Sequence, residues 1–212
     1  MVGGTGLSAA GDASVYLVDG PDRAVLIDAG TGQGEAQIVR NIEAAGVPAA
    51  KLSHLVLTHC HIDHSGGIPG LQKRFGLKVI AHQRAAEILA PGNDPRTADF
   101  WYDMKLPPII VDQPFDAAES RLPLGDTDLI LIHIPGHSPD SIAAYLDRDG
   151  SRVLFGQDVH GPILPALASD PQLYRRSLNQ LLALHADVLC EGHFGIYQPA
   201  DEVAEYIKSF LE

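Results

Sequence analysis

Four potential metal ligands occur within six residues of the segment Thr58–Gly67, which reads THCHIDHSGG. They are His59, His61, Asp63 and His64. Alternate side chains of an extended segment point to the same side, so His59 and His61 are placed to bind one ion. Asp63 and His64 come where the chain turns, and we expect them to point to a neighbouring position. A mixture of imidazole and carboxylate ligands suits zinc, iron or manganese better than calcium.

Three further polar residues follow apolar segments later in the chain, and each lies close to a glycine. They are His137 in IPGHSP, Asp158 in FGQD and His193 in EGHFG. Side chains in loops at strand ends are held rigidly by the sheet behind them, which is why such loops carry functional residues. We therefore expect these three residues to lie with the first four at one site.

Short strands and helices are predicted in both halves of the chain, and they carry these residues. This pattern predicts an α/β fold in which two packed sheets have helices outside them, a four-layer αββα sandwich. A doubly wound sheet is the alternative that periodicity alone does not exclude. Strands are predicted at 14–19, 24–28, 54–57, 78–81, 109–111, 128–134, 142–146, 152–155 and 187–190, and helices at 33–45, 71–75, 84–89, 171–184 and 200–211.

Length and composition limit the classes of protein that this chain can represent. Its 212 residues are enough for one domain spanning 1–212. The net charge of −12 argues against nucleic acid as a partner, because such binding needs a basic surface. No apolar run is long enough to span a membrane, and the N-terminus does not resemble a secretory signal. Two cysteines are too few for a disulfide scaffold, so we expect a cytoplasmic protein. A small-molecule partner and a homo-oligomer are both compatible with the sequence.

The order HxHxDH, PGH, an aspartate after a strand and a late GH resembles the metallo-β-lactamase superfamily over nearly the whole chain. The segment Leu26–Gly30, LIDAG, also matches the early strand end of that family, which contains an aspartate. The resemblance implies an αββα sandwich with a binuclear metal site at one edge. It implies a first ion held by His59, His61 and His137, a second held by Asp63, His64 and His193, and Asp158 bridging the two.

Within the superfamily the chain is most similar to the compact hydrolases related to glyoxalase II and to the lactonases. The resemblance implies hydrolysis of a thioester, ester or lactone by water activated between two divalent ions, with zinc expected and iron or manganese as alternatives. The segment Val159–Ile163 lacks the Gly-Cys-Gly-Arg stretch typical of glyoxalase II, so recognition of glutathione is left open. The other functions considered are a mononuclear iron dioxygenase acting on persulfides, a phosphodiesterase or nuclease of the same fold, and a non-catalytic binding protein.

Catalytic and substrate-contacting roles are predicted for residues around these ligands. Asp63 is expected to accept a proton as well as to bind metal, Asp158 to offset the repulsion between the ions, and His160 to act as a general acid. Asp28 is expected to orient the metal-binding loop. The long loop Pro91–Pro108 is expected to cover the pocket. Substrate contacts are predicted for Trp101, Tyr102 and Tyr197.

Overall fold

The computed structural model describes residues 1–211 as two β-sheets packed face to face, with helices on both outer surfaces. This arrangement confirms the four-layer αββα class predicted from the sequence. The strands of each sheet are short, and most of them are buried because they lie between the opposing sheet and a helical layer.

The first sheet has the strand order β1-β2-β3-β4-β5. Strand β1 runs antiparallel to β2, whereas β2 to β5 are parallel to one another. All four residues of β2 are buried, as expected for a parallel strand that is covered on both faces. Its strands are β1 Tyr16–Asp19, β2 Ala24–Ile27, β3 Leu52–Val56, β4 Lys78–His82 and β5 Gln113–Phe115.

The second sheet has the order β11-β10-β9-β8-β7-β6. Only β9 and β10 are parallel, and the other neighbours are antiparallel. Its strands are β6 Glu119–Pro123, β7 Asp128–His133, β8 Ile142–Arg148, β9 Ser151–Phe155, β10 Val188–Cys190 and β11 Ile196–Tyr197.

Three apolar layers hold the sandwich together. One lies between the sheets and includes Ile27, Val56 and Leu131. A second packs α1, α3 and α4 against the first sheet, and a third packs α5 and α6 against the second. The helices are α1 Glu35–Ala44, α2 Ile62–Ser65, α3 Ile68–Phe75, α4 Gln83–Leu89, α5 Pro171–Leu182 and α6 Ala200–Lys208.

The prediction of a strand at 109–111 is wrong, because the fifth strand of the first sheet, β5, begins only at Gln113. Ile109 and Val111 are buried against the helical layer, while Ile110 is 78% exposed. That alternation comes from an extended segment that packs on the core without pairing in the sheet. Strands β6 and β11 and the one-turn helix α2 were not predicted from the sequence.

The direction of the strands places several loops at one edge of the sandwich. The parallel strands β2 and β3 end at this edge, and so do β9 and β10, which are parallel to each other. The chain segments after β2, β3, β7, β9 and β10 carry every residue that was predicted to bind metal or to support the ligands. Within residues 1–211, no helix combines the length and the apolar character needed to cross a membrane.

Candidate metal centre

The seven predicted ligands come together at the edge where these strands end. His59, His61, Asp63 and His64 lie on the loop after β3 and on the short helix α2. His137 follows β7, Asp158 follows β9 and His193 follows β10, so both sheets contribute ligands. All are buried except His193, whose side chain is 25% exposed.

The first group of ligand atoms is formed by His59, His61, His137 and Asp158. His61 Nδ1 lies 3.0 Å from His59 Nε2 and 3.1 Å from His137 Nε2. Asp158 Oδ2 lies 3.2 Å from His137 Nε2 and 3.6 Å from His59 Nε2. Four donor atoms thus converge from loops that are far apart in the sequence.

The second group contains Asp63, His64 and His193. Asp63 Oδ2 lies 3.3 Å from His193 Nε2 and 3.7 Å from His64 Nε2. The other oxygen of Asp158, Oδ1, completes this group at 3.2 Å from His64 Nε2 and 3.4 Å from His193 Nε2. One carboxylate therefore faces both groups, with one oxygen in each.

The spacing of these atoms fits metal ions held at ordinary bond lengths. Zinc bound tetrahedrally at about 2.0–2.1 Å separates neighbouring ligand atoms by roughly 3.3 Å. The distances in both groups, from 3.0 to 3.7 Å, scatter around that value. Neutral imidazole and carboxylate donors are also the set that zinc, iron and manganese accept.

The hydrogen bonds around His64 also favour a cation. His64 Nδ1 lies 2.6 Å from Asp28 Oδ2, so the Nδ1 proton is directed to that carboxylate. The lone pair of a neutral His64 Nε2 then faces Asp158 Oδ1, and both of these buried atoms lack a hydrogen-bond partner. Two acceptors that face each other without water repel unless a proton or a metal cation lies between them.

The pKa values of the metal-free centre differ between the two groups. Burial lowers the pKa of His59, and it lowers that of His61 to about 3, so both of these rings are neutral near pH 7. Burial also opposes a charge on His193, but the neighbouring carboxylates of Asp158 and Asp63 raise its pKa to about 10. His193 therefore favours a positive charge, whereas His59 and His61 offer neutral donors.

Asp28 lies beneath the centre and contacts several of the ligand loops. Its side chain is fully buried and accepts hydrogen bonds from Thr58 N at 2.8 Å and from Thr58 Oγ1 at 2.7 Å. Its Oδ2 also faces His64 Nδ1 and accepts from Gln157 Nε2, each at 2.6 Å. One carboxylate thus joins the loop after β2 to the loops after β3 and β9.

The backbone at two of these positions is in the left-handed region, where residues other than glycine are uncommon. Asp28 has a φ of 62° and Gln157 a φ of 48°. Aspartate tolerates this conformation better than most residues, and such strain is concentrated at functional sites. The turns that these residues make at the strand ends aim Asp28 and Asp158 into the centre.

The absence of a side chain at Gly192 makes room for the carboxylate of Asp158. A Cβ at this position would overlap Asp158 Oδ1 and would lie 2.7 Å from Gln157 Oε1. The loop after β10 can therefore pass this close to the centre only with a glycine here.

His160 lies beside the second group and is held by a buried carboxylate. Its Nδ1 is 2.8 Å from Glu191 Oε1, and the Glu191 side chain is not exposed at all. The other Glu191 oxygen accepts from the backbone N–H groups of His193 and Phe194. With Nδ1 engaged by Glu191, Nε2 of His160 is the ring nitrogen left for the centre, where His160 groups with Asp158 and His193.

The loop from Pro91 to Pro108 reaches the same edge. The backbone carbonyl of Arg96 accepts a hydrogen bond at 3.6 Å from Sγ of Cys60, which lies between two of the ligands in the chain. Burial and the nearby Asp63 carboxylate raise the pKa of the hydroxyl of Tyr102. Trp101 precedes it and is 50% exposed. Tyr197, the third predicted substrate contact, instead stacks on Tyr206 of α6 with ring centroids 3.9 Å apart.

Sequence reasoning did not identify Thr58, Gln157 or Glu191 as parts of the site. Thr58 and Gln157 are neighbours of predicted ligands, but only the folded chain shows that both bind Asp28. Glu191 carried the clearest signal available, since it is an acidic residue at the end of a buried strand, directly before the Gly192-His193 pair.

Comparison with known proteins links the fold and the site to one family. The sequence model of the metallo-beta-lactamase superfamily matches residues 9–193. A solved metallo-beta-lactamase from Cronobacter sakazakii, a mutant of its HARLDQ motif, superposes with a TM-score of 0.79 at 26% identity. The superposition covers 96% of this chain and 89% of that one.

Curated relatives have several described activities. The acyl-coenzyme A thioesterase MBLAC2 of Bos taurus is 30% identical over 172 residues, which is 69% of this chain and 58% of that protein. The probable metallo-hydrolase YflN of Bacillus subtilis is 27% identical, over 85% of this chain and 80% of that one. The hydroxyacylglutathione hydrolase of Cereibacter sphaeroides is 29% identical, over 76% and 58%. The chain thus spans just over half the length of the thioesterase that it matches.

Proposed function

Because the chain belongs to the metallo-β-lactamase superfamily, we propose that it is a metal-dependent hydrolase of a small thioester, ester or lactone. The observation that carries this proposal is the position of Asp158, whose two oxygens face two separate groups of ligand atoms. Relatives described as a thioesterase and as a hydroxyacylglutathione hydrolase support hydrolysis of an acyl bond.

We assign the ligands of two divalent ions, preferably zinc, from this geometry. His59, His61 and His137 would hold one ion, and Asp63, His64 and His193 the other, with Asp158 shared. Two ions held in this way would supply an activated water and would polarise the carbonyl group of the substrate.

The side chains around the ligands supply the proton transfers of the proposed reaction. Asp63, whose Oδ2 lies 3.3 Å from His193 Nε2, is placed to accept a proton from the attacking water. Glu191 accepts a hydrogen bond from the Nδ1 proton of His160, so that Nε2 faces the centre. In its doubly protonated form, in which Nε2 also carries a proton, His160 would donate that proton to the leaving group. Asp28 keeps His64 in the tautomer that presents Nε2.

Metal analysis combined with hydrolysis assays tests the assignment. Protein purified without chelator should contain close to two ions per chain and should hydrolyse at least one member of a panel of thioesters, esters and lactones. His61→Ala and His193→Ala should each remove one ion and lower turnover by several orders of magnitude. His185→Ala, at a histidine that lies among residues of α5 and α6 away from the ligand atoms, is the control and should change neither value.

One ion per chain with full activity would contradict the binuclear assignment. If that single ion were iron and the protein consumed oxygen with a persulfide, the dioxygenase alternative would replace the proposed hydrolase. Equal losses in His61→Ala, His193→Ala and His185→Ala would mean that the substitutions report damage to the fold.

The leaving group tests the role of His160 separately. His160→Gln should lower kcat/KM for substrates with poor leaving groups by about 10²–10⁴-fold, because these need protonation. Activated esters such as p-nitrophenyl esters leave as stable anions and should be far less affected. A uniform loss over both substrate types would remove His160 from the role of proton donor.

A further inference from the structure

We infer that the substrate is an uncharged, apolar acyl compound and that it is not attached to a polyanionic carrier such as coenzyme A. This inference rests on the proposed hydrolase function and concerns the surface around the reacting carbonyl. It is carried by the charges and the apolar side chains of the chain segments that surround the metal centre.

Five segments form what we call the rim: 4–12, 29–34, 91–108, 157–170 and 192–196. They are joined to one another and to the ligand loops by direct contacts. Asp12 accepts hydrogen bonds from Thr31 N and Oγ1, and the ring of Tyr102 lies against Gly11. The 3₁₀ turns at Pro95–Thr97 and Pro165–Leu167 pack together, and the ring of Phe194 lies 4.8 Å from that of His160.

The rim contains few positive charges. Its basic residues are Arg96 and Lys105. Arg96 is already paired with Asp94, through Nε to Oδ1 at 2.9 Å and Nη2 to Oδ2 at 2.6 Å. Lys105 is exposed and shares its loop with Asp99 and Asp103. Apart from the metal centre and its ligand His193, a substrate with several phosphates would therefore meet one unpaired cation, Lys105, in a rim whose other charged side chains are acidic or paired.

The direction of the strands places four other positive charges away from the metal centre. Arg23 precedes β2, Lys51 precedes β3 and Lys78 begins β4, so all three lie at the start of parallel strands that end near the metal centre. Arg152, at the start of β9, forms two hydrogen bonds to the carboxylate of Asp147. These residues are at the opposite edge of the sandwich and cannot contact a substrate at the centre.

The rim is rich in exposed apolar side chains instead. Among residues 1–211, four of the six large apolar side chains described as exposed belong to it: Phe100, Trp101, Phe194 and Ile196, which are 50–63% exposed. Phe100 and Trp101 contact each other, with ring centroids 5.5 Å apart. Exposed apolar groups clustered around a polar centre are typical of a surface that binds an apolar ligand.

The direct test compares two thioesters that share one acyl group and differ in the charge of the thiol. The probes are an acyl-coenzyme A and the corresponding S-acyl-N-acetylcysteamine, which lacks the phosphates. We expect kcat/KM for the neutral thioester to equal or exceed that for the coenzyme A ester. We also expect kcat/KM for the coenzyme A ester to rise about two- to fivefold between low and near-physiological salt, because salt screens repulsion from an acidic protein.

A preference for the coenzyme A ester would overturn the inference and leave the hydrolase function intact. The decisive outcome is a kcat/KM for this ester that is more than about tenfold higher and that falls as salt is added. In Lys105→Ala the ratio of kcat/KM for the two thioesters should stay unchanged, and a selective loss on the coenzyme A ester would also overturn the inference. If the protein hydrolysed no thioester, ester or lactone, the proposed function itself would fail.

The length of the acyl chain tests whether the exposed apolar side chains of the rim bind the acyl group. Phe194→Ala should lower kcat/KM for a long acyl chain by about tenfold and have little effect on an acetyl ester. Ile110→Ala is the matched control, since Ile110 is 78% exposed but lies outside the rim. Equal effects of the two substitutions, or an effect independent of chain length, would show that the rim does not bind the acyl group.

Discussion

Replacement of Asp28 by asparagine should separate the support of the metal centre from the stability of the fold. The wild-type carboxylate is fully buried and engages four polar groups, from Thr58, His64 and Gln157. An amide has one acceptor oxygen, so in either orientation its NH₂ group faces an N–H donor. Asparagine also tolerates the φ of 62° at this position, so backbone strain does not complicate the result.

Each buried donor left unpaired costs about 1–3 kcal/mol, so Asp28→Asn should lower the free energy of unfolding of the metal-free protein by about 2–4 kcal/mol. Because His64 also loses the carboxylate that orients it, metal affinity should fall by about 10–100-fold. Urea unfolding measures the first effect, and competition with a chromophoric chelator measures the second.

Asp12→Asn is the control for this experiment. Asp12 is also buried and also accepts four hydrogen bonds, from Thr31, Ser8 and Ala9, but it contacts no ligand. It should therefore cost similar stability while metal affinity stays near the wild-type value. Unchanged affinity in Asp28→Asn, or an equal loss in both variants, would refute the role given to Asp28.

Three other substitutions test other parts of the structure. Gly192→Ala should lower the metal content, because its Cβ would displace Asp158, and a variant that retains its metals would contradict this packing. Trp101→Ala should lower kcat/KM by an amount equivalent to about 1–3 kcal/mol without changing metal content, and unchanged kinetics over a substrate panel would show that Trp101 contacts no substrate. Burial lowers the pKa of His82 to about 4, below the ordinary value near 6.5, so its contribution to stability is present above pH 6.5 and lost as the pH falls. The difference in unfolding free energy between the wild type and His82→Asn should therefore shrink by about 1–2 kcal/mol from about pH 7.5 to pH 5, and a constant difference would contradict the shift.

The parts of the fold that the sequence predicted are those with strong apolar patterns. Strands β2, β3 and β7 have nearly continuous apolar residues because both of their faces are covered, and α1 buries Ile38 and Ile42. Strands β5 and β6 were missed because they are edge strands in which proline and polar residues interrupt the pattern. Edge strands tolerate such residues because one side forms no ladder hydrogen bonds.

The metal-binding residues were easier to predict than their supports. Histidine and aspartate residues that follow apolar segments can be recognised in the sequence, and their spacing indicates which of them can bind one ion. Glu191 and Gln157 act through single hydrogen bonds to His160 and Asp28, residues that are distant in the chain. The pairing of Gln157 with Asp28 depends on how the two sheets pack, and that of Glu191 with His160 depends on how β9 and β10 align. A local sequence pattern specifies neither.

The division of the ligands between the two sheets has a consequence for the lifetime of the protein. His59 and His61 belong to the first sheet, whereas His137 and Asp158 belong to the second, so a state in which the sheets separate loses both groups of donors at once. Ions that bind only the docked form stabilise it in proportion to the logarithm of their free concentration. The availability of metal in the surroundings would then set how quickly the chain is degraded as well as how fast it works.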